Sequence, residues 1–224
     1  MMYSFAARGD CAVADEPFYA AYLAATGIDH PMRDEILASQ PQDPEQVISD
    51  CLAPDPVLPL RYLKLMTHHM IPGFRRDWLG QMRNVFLIRH PARVVASYVA
   101  KREMPEPDDL GFRAQEELYD LCLAEGAAPL VVDSVDIRRD PAGTLSALCR
   151  ALGIGWTEDM LRWPAGGRPE DGVWAAHWYG AVHRSTGFAG AEPELPELAA
   201  PYDALAKMGL ESYNRFANAA IRPV

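Results

Sequence analysis

Arg89 and Ser97 are the residues whose types and spacing point most directly to chemistry. They stand eight positions apart in NVFLIRHPARVVASYVAKR, residues 84–102. A guanidinium fork and a hydroxyl beside a helix N-terminus suit a phosphate group. The plainer alternative is a strand-end arginine paired with a neighbouring carboxylate. His68 and His69 lie twenty-one and twenty residues before Arg89. Histidine titrates near neutrality, so either ring can serve as a general base, a role worth about 10²–10⁴-fold in rate; a purely structural pair is the alternative. No metal site is expected there. Neighbours on one strand point to opposite faces, and no cysteine or third histidine sits at ligand spacing.

The elements that must position these residues follow from the apolar pattern. Val85, Phe86, Leu87 and Ile88 read as a short strand buried on both faces. Pro91 suits the first position of a helix, and Val94, Val95, Tyr98 and Val99 then recur at helical spacing. Arg89 thus closes a strand at the edge where open α/β sheets bind ligands, with Ser97 two turns into the next helix. Further strands are expected at Cys11–Asp15, Leu60–Met66 and Leu130–Asp133. Helices are expected at Pro44–Leu52, Ile71–Met82, Leu110–Glu125, Asp140–Leu152 and Pro196–Ala219. Asp15 and Glu16 end the first of those strands, where either carboxylate would otherwise cap the following helix. Alternating strands and helices imply a three-layer α/β/α fold with a mainly parallel sheet, in one domain over residues 1–224. The Pro- and Asp-rich stretch 26–59 reads as an insertion on the substrate side.

Composition narrows the function classes. The chain has 224 residues and a net charge of −10, which argues against general nucleic-acid binding. From Arg61 to Arg102, however, nine basic residues (61, 64, 75, 76, 83, 89, 93, 101, 102) face one acid, Asp77. That +8 block fits a small polyanionic ligand, or simply a solvated basic face. Four cysteines at 11, 51, 122 and 149 show no C-x-x-C spacing and read as core thiols in a reducing compartment. No stretch approaches a membrane span and no signal-peptide pattern opens the chain, so a cytoplasmic location is expected.

The segment LIRHPARVVASY resembles the 3′-phosphate-binding segment of sulfotransferases, the enzymes that use 3′-phosphoadenosine-5′-phosphosulfate (PAPS). The nearest likeness is to bacterial sulfotransferase-like proteins. The resemblance implies a P-loop nucleotide-binding type of fold and sulfuryl transfer to a small-molecule hydroxyl or amine. It assigns Arg89 and Ser97 to the 3′-phosphate. Lys64, Thr67 and the pair His68–His69 are similar to a Lys-Thr-His segment whose histidine deprotonates the acceptor, which leaves that role to His68 or His69, although Leu65 and Met66 intervene here. Glu16 resembles a carboxylate that takes the same proton in several carbohydrate sulfotransferases. Arg168, Gly172 and Trp174 loosely resemble a late segment that closes over the nucleotide, and Arg184, Ser185 and Thr186 are further candidate contacts. Packing is the alternative for Trp174, Trp178 and Tyr179. DPAGTLSALCRALGI, residues 140–154, resembles a scaffold segment of the same family.

No Gly-rich phosphate cradle such as G-x-x-x-x-G-K-[ST] occurs in the chain. The resemblance therefore implies that the family's first strand and phosphate loop precede Met1, which would be internal to a longer protein; a natural remnant is the other reading. The expected partners are a small-molecule acceptor and a second copy of the chain, with no nucleic acid, membrane or metal. Two rival functions are a P-loop kinase or phosphotransferase, and a non-catalytic remnant that binds a nucleotide or a protein.

Overall fold

The computed structural model of the chain describes residues 1–100 and 105–223. Lys101 and Arg102 of the basic block lie outside the described residues. In chain order the elements begin with α1 (Met2–Ala6), β1 (Cys11–Asp15), α2 (Tyr19–Thr26), α3 (Arg33–Ser39), α4 (Pro44–Leu52) and β2 (Leu60–Lys64). Next come β3 (Val85–Ile88), α5 (Pro91–Val99), α6 (Phe112–Ala124), β4 (Leu130–Asp133), α7 (Ser134–Arg139) and α8 (Pro141–Leu152). The last are α9 (Ala175–Trp178), α10 (Gly180–His183), α11 (Tyr202–Met208) and α12 (Leu210–Ala219). They fall into two compact units. One comprises Met1–Trp78 with Thr157–Phe188, the other Leu79–Trp156 with the residues from Ala189 onward.

In the first unit β1 and β2 pair in parallel, with Cys11 opposite Leu60 and Asp15 opposite Lys64. Their connection runs through α2, α3 and α4, as a parallel crossover requires. Asp43 caps α4 by accepting a hydrogen bond from the Glu45 N–H, with Pro44 at the first helical position. Tyr19, Ala20, Leu23, Ile36 and Trp174 form one buried cluster. Phe18 stacks on Trp78 at 5.8 Å. The side chains of Asp15 and Glu16 do not cap α2, whose N-cap residue is Phe18 with no side-chain hydrogen bond.

In the second unit β3 and β4 pair in parallel from Val85 opposite Leu130 to Ile88 opposite Asp133. Val131 and Val132 are buried on opposite faces of β4, and Leu145, Leu148 and Cys149 on α8 are fully buried. Asp140 caps α8 through the Gly143 N–H. Phe86 packs against Tyr119 and Phe216. β3 departs from the expectation of burial on both faces. Phe86 and Ile88 are buried while Leu87 is 46% exposed, the alternation of a strand with one covered face.

Helix boundaries differ where the chain is punctuated. Pro72 and Gly73 interrupt the helix expected over Ile71–Met82, leaving a 3₁₀ turn at Asp77–Gln81. The strand expected through Met66 stops at Lys64. The terminal helix is two helices broken at Gly209, where a Cβ would lie 2.6 Å from the Phe112 ring. All four cysteines are free and buried. Among the described residues no helix is long and apolar enough to cross a membrane.

These burial patterns set a stability contrast. Leu148→Ala should cost about 2–5 kcal/mol in urea unfolding, whereas Leu123→Ala, at a site 47% exposed, should change stability by about 0.5 kcal/mol or less. Equal losses at the two positions would contradict the placement of α8 in the core.

Candidate functional site

The first unit gathers charge where β1 and β2 end. Pairing sets Asp15 level with Lys64, and the Glu16 N–H donates to the Lys64 carbonyl at 2.9 Å. Glu16 then adopts a left-handed backbone, φ 42°, which turns its carboxylate toward the same lysine. Lys64 Nζ donates to Asp15 Oδ1 at 3.0 Å and to Glu16 Oε1. It also bonds Tyr179 Oη, while that hydroxyl donates to Asp15 at 2.7 Å. Asp15 and Glu16 are buried.

One ammonium therefore serves two carboxylates, with a phenol as the third partner. Burial lowers the Lys64 pKa, but Glu16 and Asp15 outweigh it and leave it above the ordinary lysine value. Burial pushes the Glu16 carboxyl up, only partly offset by Lys64. Burial and the two carboxylates also raise the Tyr179 phenol far above its usual value. This grouping holds Lys64 as an ammonium, with the acids around it in excess. Sequence reasoning singled out Lys64 and Glu16 but treated Tyr179 as packing, and no local pattern distinguished it.

His68 and His69 lie in a 3₁₀ turn, Thr67–His69, rather than on a strand. Their rings therefore do not point to opposite faces; they meet edge to face at 4.5 Å. His69 is buried, stacked on Tyr19 at 4.4 Å and on Tyr22 at 4.8 Å, and its Nδ1 has no hydrogen-bond partner. Burial, then the nearby His68, Lys64 and His30, hold its pKa well below 6.5. His68 is only partly buried. Trp174 is a core residue, 1% exposed and edge-on to Tyr19 at 5.1 Å. Arg168 pairs with Glu170 at 3.3 Å. Ser185 Oγ accepts from the Trp163 indole N–H at 3.0 Å.

The second unit holds Arg89 and Ser97. Arg89 follows β3 directly, as expected, and Ser97 is exposed on α5. The arginine is paired with a carboxylate, though not a neighbouring one. Its Nε and Nη2 donate to Glu192 Oε1 at 3.0 and 2.6 Å, 103 positions away in sequence. Arg93 Nε lies 2.8 Å from Glu192 Oε2, and Arg138 Nη1 donates to Oε1 at 3.0 Å. Burial pushes the Glu192 carboxyl up, but hydrogen bonds and charge from Arg89, with Arg93 and Arg138, hold it below the usual glutamate value. Arg93 was visible only as one member of the basic block, and nothing in sequence pointed to Arg138 or Glu192. Among the described residues no cluster of three His, Cys, Asp or Glu could hold a metal ion.

The buried neutral imidazole has a pH consequence. In the unfolded chain His69 takes up a proton near pH 6.5, whereas in the folded chain it resists protonation. Stability should therefore fall as pH drops below about 6.5, by up to about 1.4 kcal/mol per pH unit from this group. His69→Phe keeps a ring between Tyr19 and Tyr22 and should remove that component from urea unfolding measured between pH 7 and pH 5. An unchanged acid slope in the variant would contradict the assignment.

A family model described as a sulfotransferase domain matches residues 1–220. Two proteins of Arabidopsis thaliana, named branched-chain-amino-acid aminotransferase-like protein 1 and protein 2, are 40% and 37% identical over 190 residues. The match covers 84% of this chain and 34% of each relative, so the chain spans about a third of the length of these curated relatives. A solved sulfotransferase domain from the curacin biosynthetic pathway is 16% identical with a TM-score of 0.44, covering 84% of this chain and 76% of that one. The family match extends over nearly the whole chain and includes both strand-end clusters: this α/β protein belongs to the sulfotransferase domain family.

Proposed function

We propose that the chain is a sulfotransferase that moves a sulfuryl group from PAPS to a small-molecule hydroxyl or amine, and that Arg89 and Ser97 receive the donor's 3′-phosphate. The observation that carries this reading is Arg89 itself. It stands at the C-terminal end of a parallel strand, 36% exposed, with its fork already closed on an anion. A site that satisfies a carboxylate with guanidinium groups has the donor set that a phosphate needs. Bound PAPS would supply an activated sulfuryl group; the residues of this chain would contribute position and charge. Lys64 is held in its ammonium form by Asp15 and Glu16, so it is a fixed positive charge rather than a proton donor.

Proton acceptance from the acceptor is assigned to His68. Glu16 is committed to Lys64 and His69 is 2% exposed, whereas the His68 ring is partly accessible. Four buried free thiols support a reducing, cytoplasmic setting. A non-catalytic role in binding a nucleotide is the second reading, favoured by the commitment of both Arg89 and Glu16 to partners within the chain.

Calorimetric titration with 3′,5′-adenosine bisphosphate tests the donor assignment. The wild-type chain should bind, and Arg89→Ala should weaken binding by about tenfold or more, the loss of a charge-assisted hydrogen bond to the phosphate. Equal binding by the two proteins would remove Arg89 from the site. With an acceptor found by screening, His68→Asn should lower turnover by about 10²–10⁴-fold and leave affinity for the bisphosphate unchanged. Binding without turnover for every acceptor in the wild type would leave the non-catalytic reading.

A further inference from the structure

We propose that Arg89, Arg93 and Arg138 form a cradle for a doubly charged phosphate or sulfate group, and that Glu192 is its internal occupant, displaced when the anion enters. For the donor's phosphate as the natural entrant, this rests on the function proposed above. The cradle itself follows from the second unit alone.

Three cations meet one carboxylate. Arg89 and Arg138 converge on Oε1 and Arg93 on Oε2 of Glu192, so each oxygen is already used. Two positive charges remain uncompensated by Glu192. Asp133, the neighbouring acid at the end of β4, is engaged elsewhere: it caps α7 through the Val135 N–H and accepts from Tyr213 at 2.7 Å. His90, which feels the charges of Arg93, Asp133 and Glu192, is held below its ordinary pKa first by burial and then by Arg93. It therefore stays neutral and adds no further positive charge. A single carboxylate underfills this site, and a phosphate or sulfate dianion in its place would leave one positive charge uncompensated instead of two.

The donors and the occupant differ in how they are supported. Arg89 follows β3, Arg93 lies in the first turn of α5 and Arg138 lies on α7. Glu192 belongs to residues 189–200, which contain no helix or strand. That segment is tied down largely by the same arginines. Arg138 Nε donates to the Gly190 carbonyl at 2.9 Å and Arg93 to the Pro193 carbonyl. The Glu192 side chain is 2% exposed, while Arg89 and Arg138 keep 36% and 27% of theirs in solvent. An anion can therefore reach the guanidinium groups from outside and exchange with the carboxylate.

The test uses inorganic sulfate, with sodium chloride at matched ionic strength as control, and reads the unfolding midpoint against anion concentration. Glu192→Gln keeps the shape and removes the charge. It should bind sulfate about tenfold or more tightly than wild type, because the competing state no longer lowers the competent fraction. Adding Arg138→Gln should abolish the gain. A folded Glu192→Gln variant with equal or weaker sulfate affinity would overturn the proposal and leave Glu192 as a structural tie. Should that variant not fold, Glu192→Asp shortens the reach and is judged by the same outcomes. A gain in sulfate affinity without any binding of 3′,5′-adenosine bisphosphate would sink the donor reading alone. Bisphosphate binding that depends on Arg89, without the gain, would sink the internal occupant alone.

Discussion

The ammonium of Lys64 is the interaction on which the end of the first parallel strand pair depends. Two carboxylates are buried beside it, and either one without a cation would be costly. Removing one partner of a buried pair typically costs about 3–5 kcal/mol, because the remaining charge is left uncompensated. Here the loss of the lysine would strand both Asp15 and Glu16. The arrangement also couples distant chain segments, since Tyr179 from beyond α9 closes the same network. Stability and charge placement are therefore set by one group, and the direction of the Lys64 pKa follows from that crowding rather than from exposure.

The second unit solves the opposite problem. Around Lys64 acids outnumber the cation; around Glu192 cations outnumber the acid. Arg89 and Lys64 nevertheless come from the same kind of place, the C-terminal end of a parallel strand. At that end the backbone leaves the ladder, and a long basic side chain can reach groups supplied by later segments. The two clusters differ in their balance, the one at Lys64 closed by acids and the one at Glu192 with cationic charge to spare.

What the sequence made legible was local. Val85–Ile88, Pro91 and the apolar spacing after it fixed β3, α5 and the position of Arg89, and Asp140-Pro141 marked the start of α8. Signals carried by neighbours in sequence survive folding because they describe one strand end or one helix cap. The partners of those residues were not legible. Glu192 reaches Arg89 from 103 positions away, and Tyr179 reaches Lys64 from 115; neither lies in a pattern with a period. Composition concealed them further. Glu192 sits in a Pro- and Glu-rich stretch without hydrophobic periodicity, and Tyr179 in an aromatic stretch for which packing is the alternative. The histidine pair was placed correctly in sequence and wrongly in geometry, because the strand stopped two residues early and a 3₁₀ turn followed.

The positive φ of Glu16 sets backbone preference against electrostatics at a single residue. Residues with a Cβ occupy that region at a cost of about 1–3 kcal/mol, and glycine would relax it. Glycine would also deprive Lys64 of one of its two carboxylates. Glutamate at this position thus trades backbone ease for a second carboxylate on Lys64.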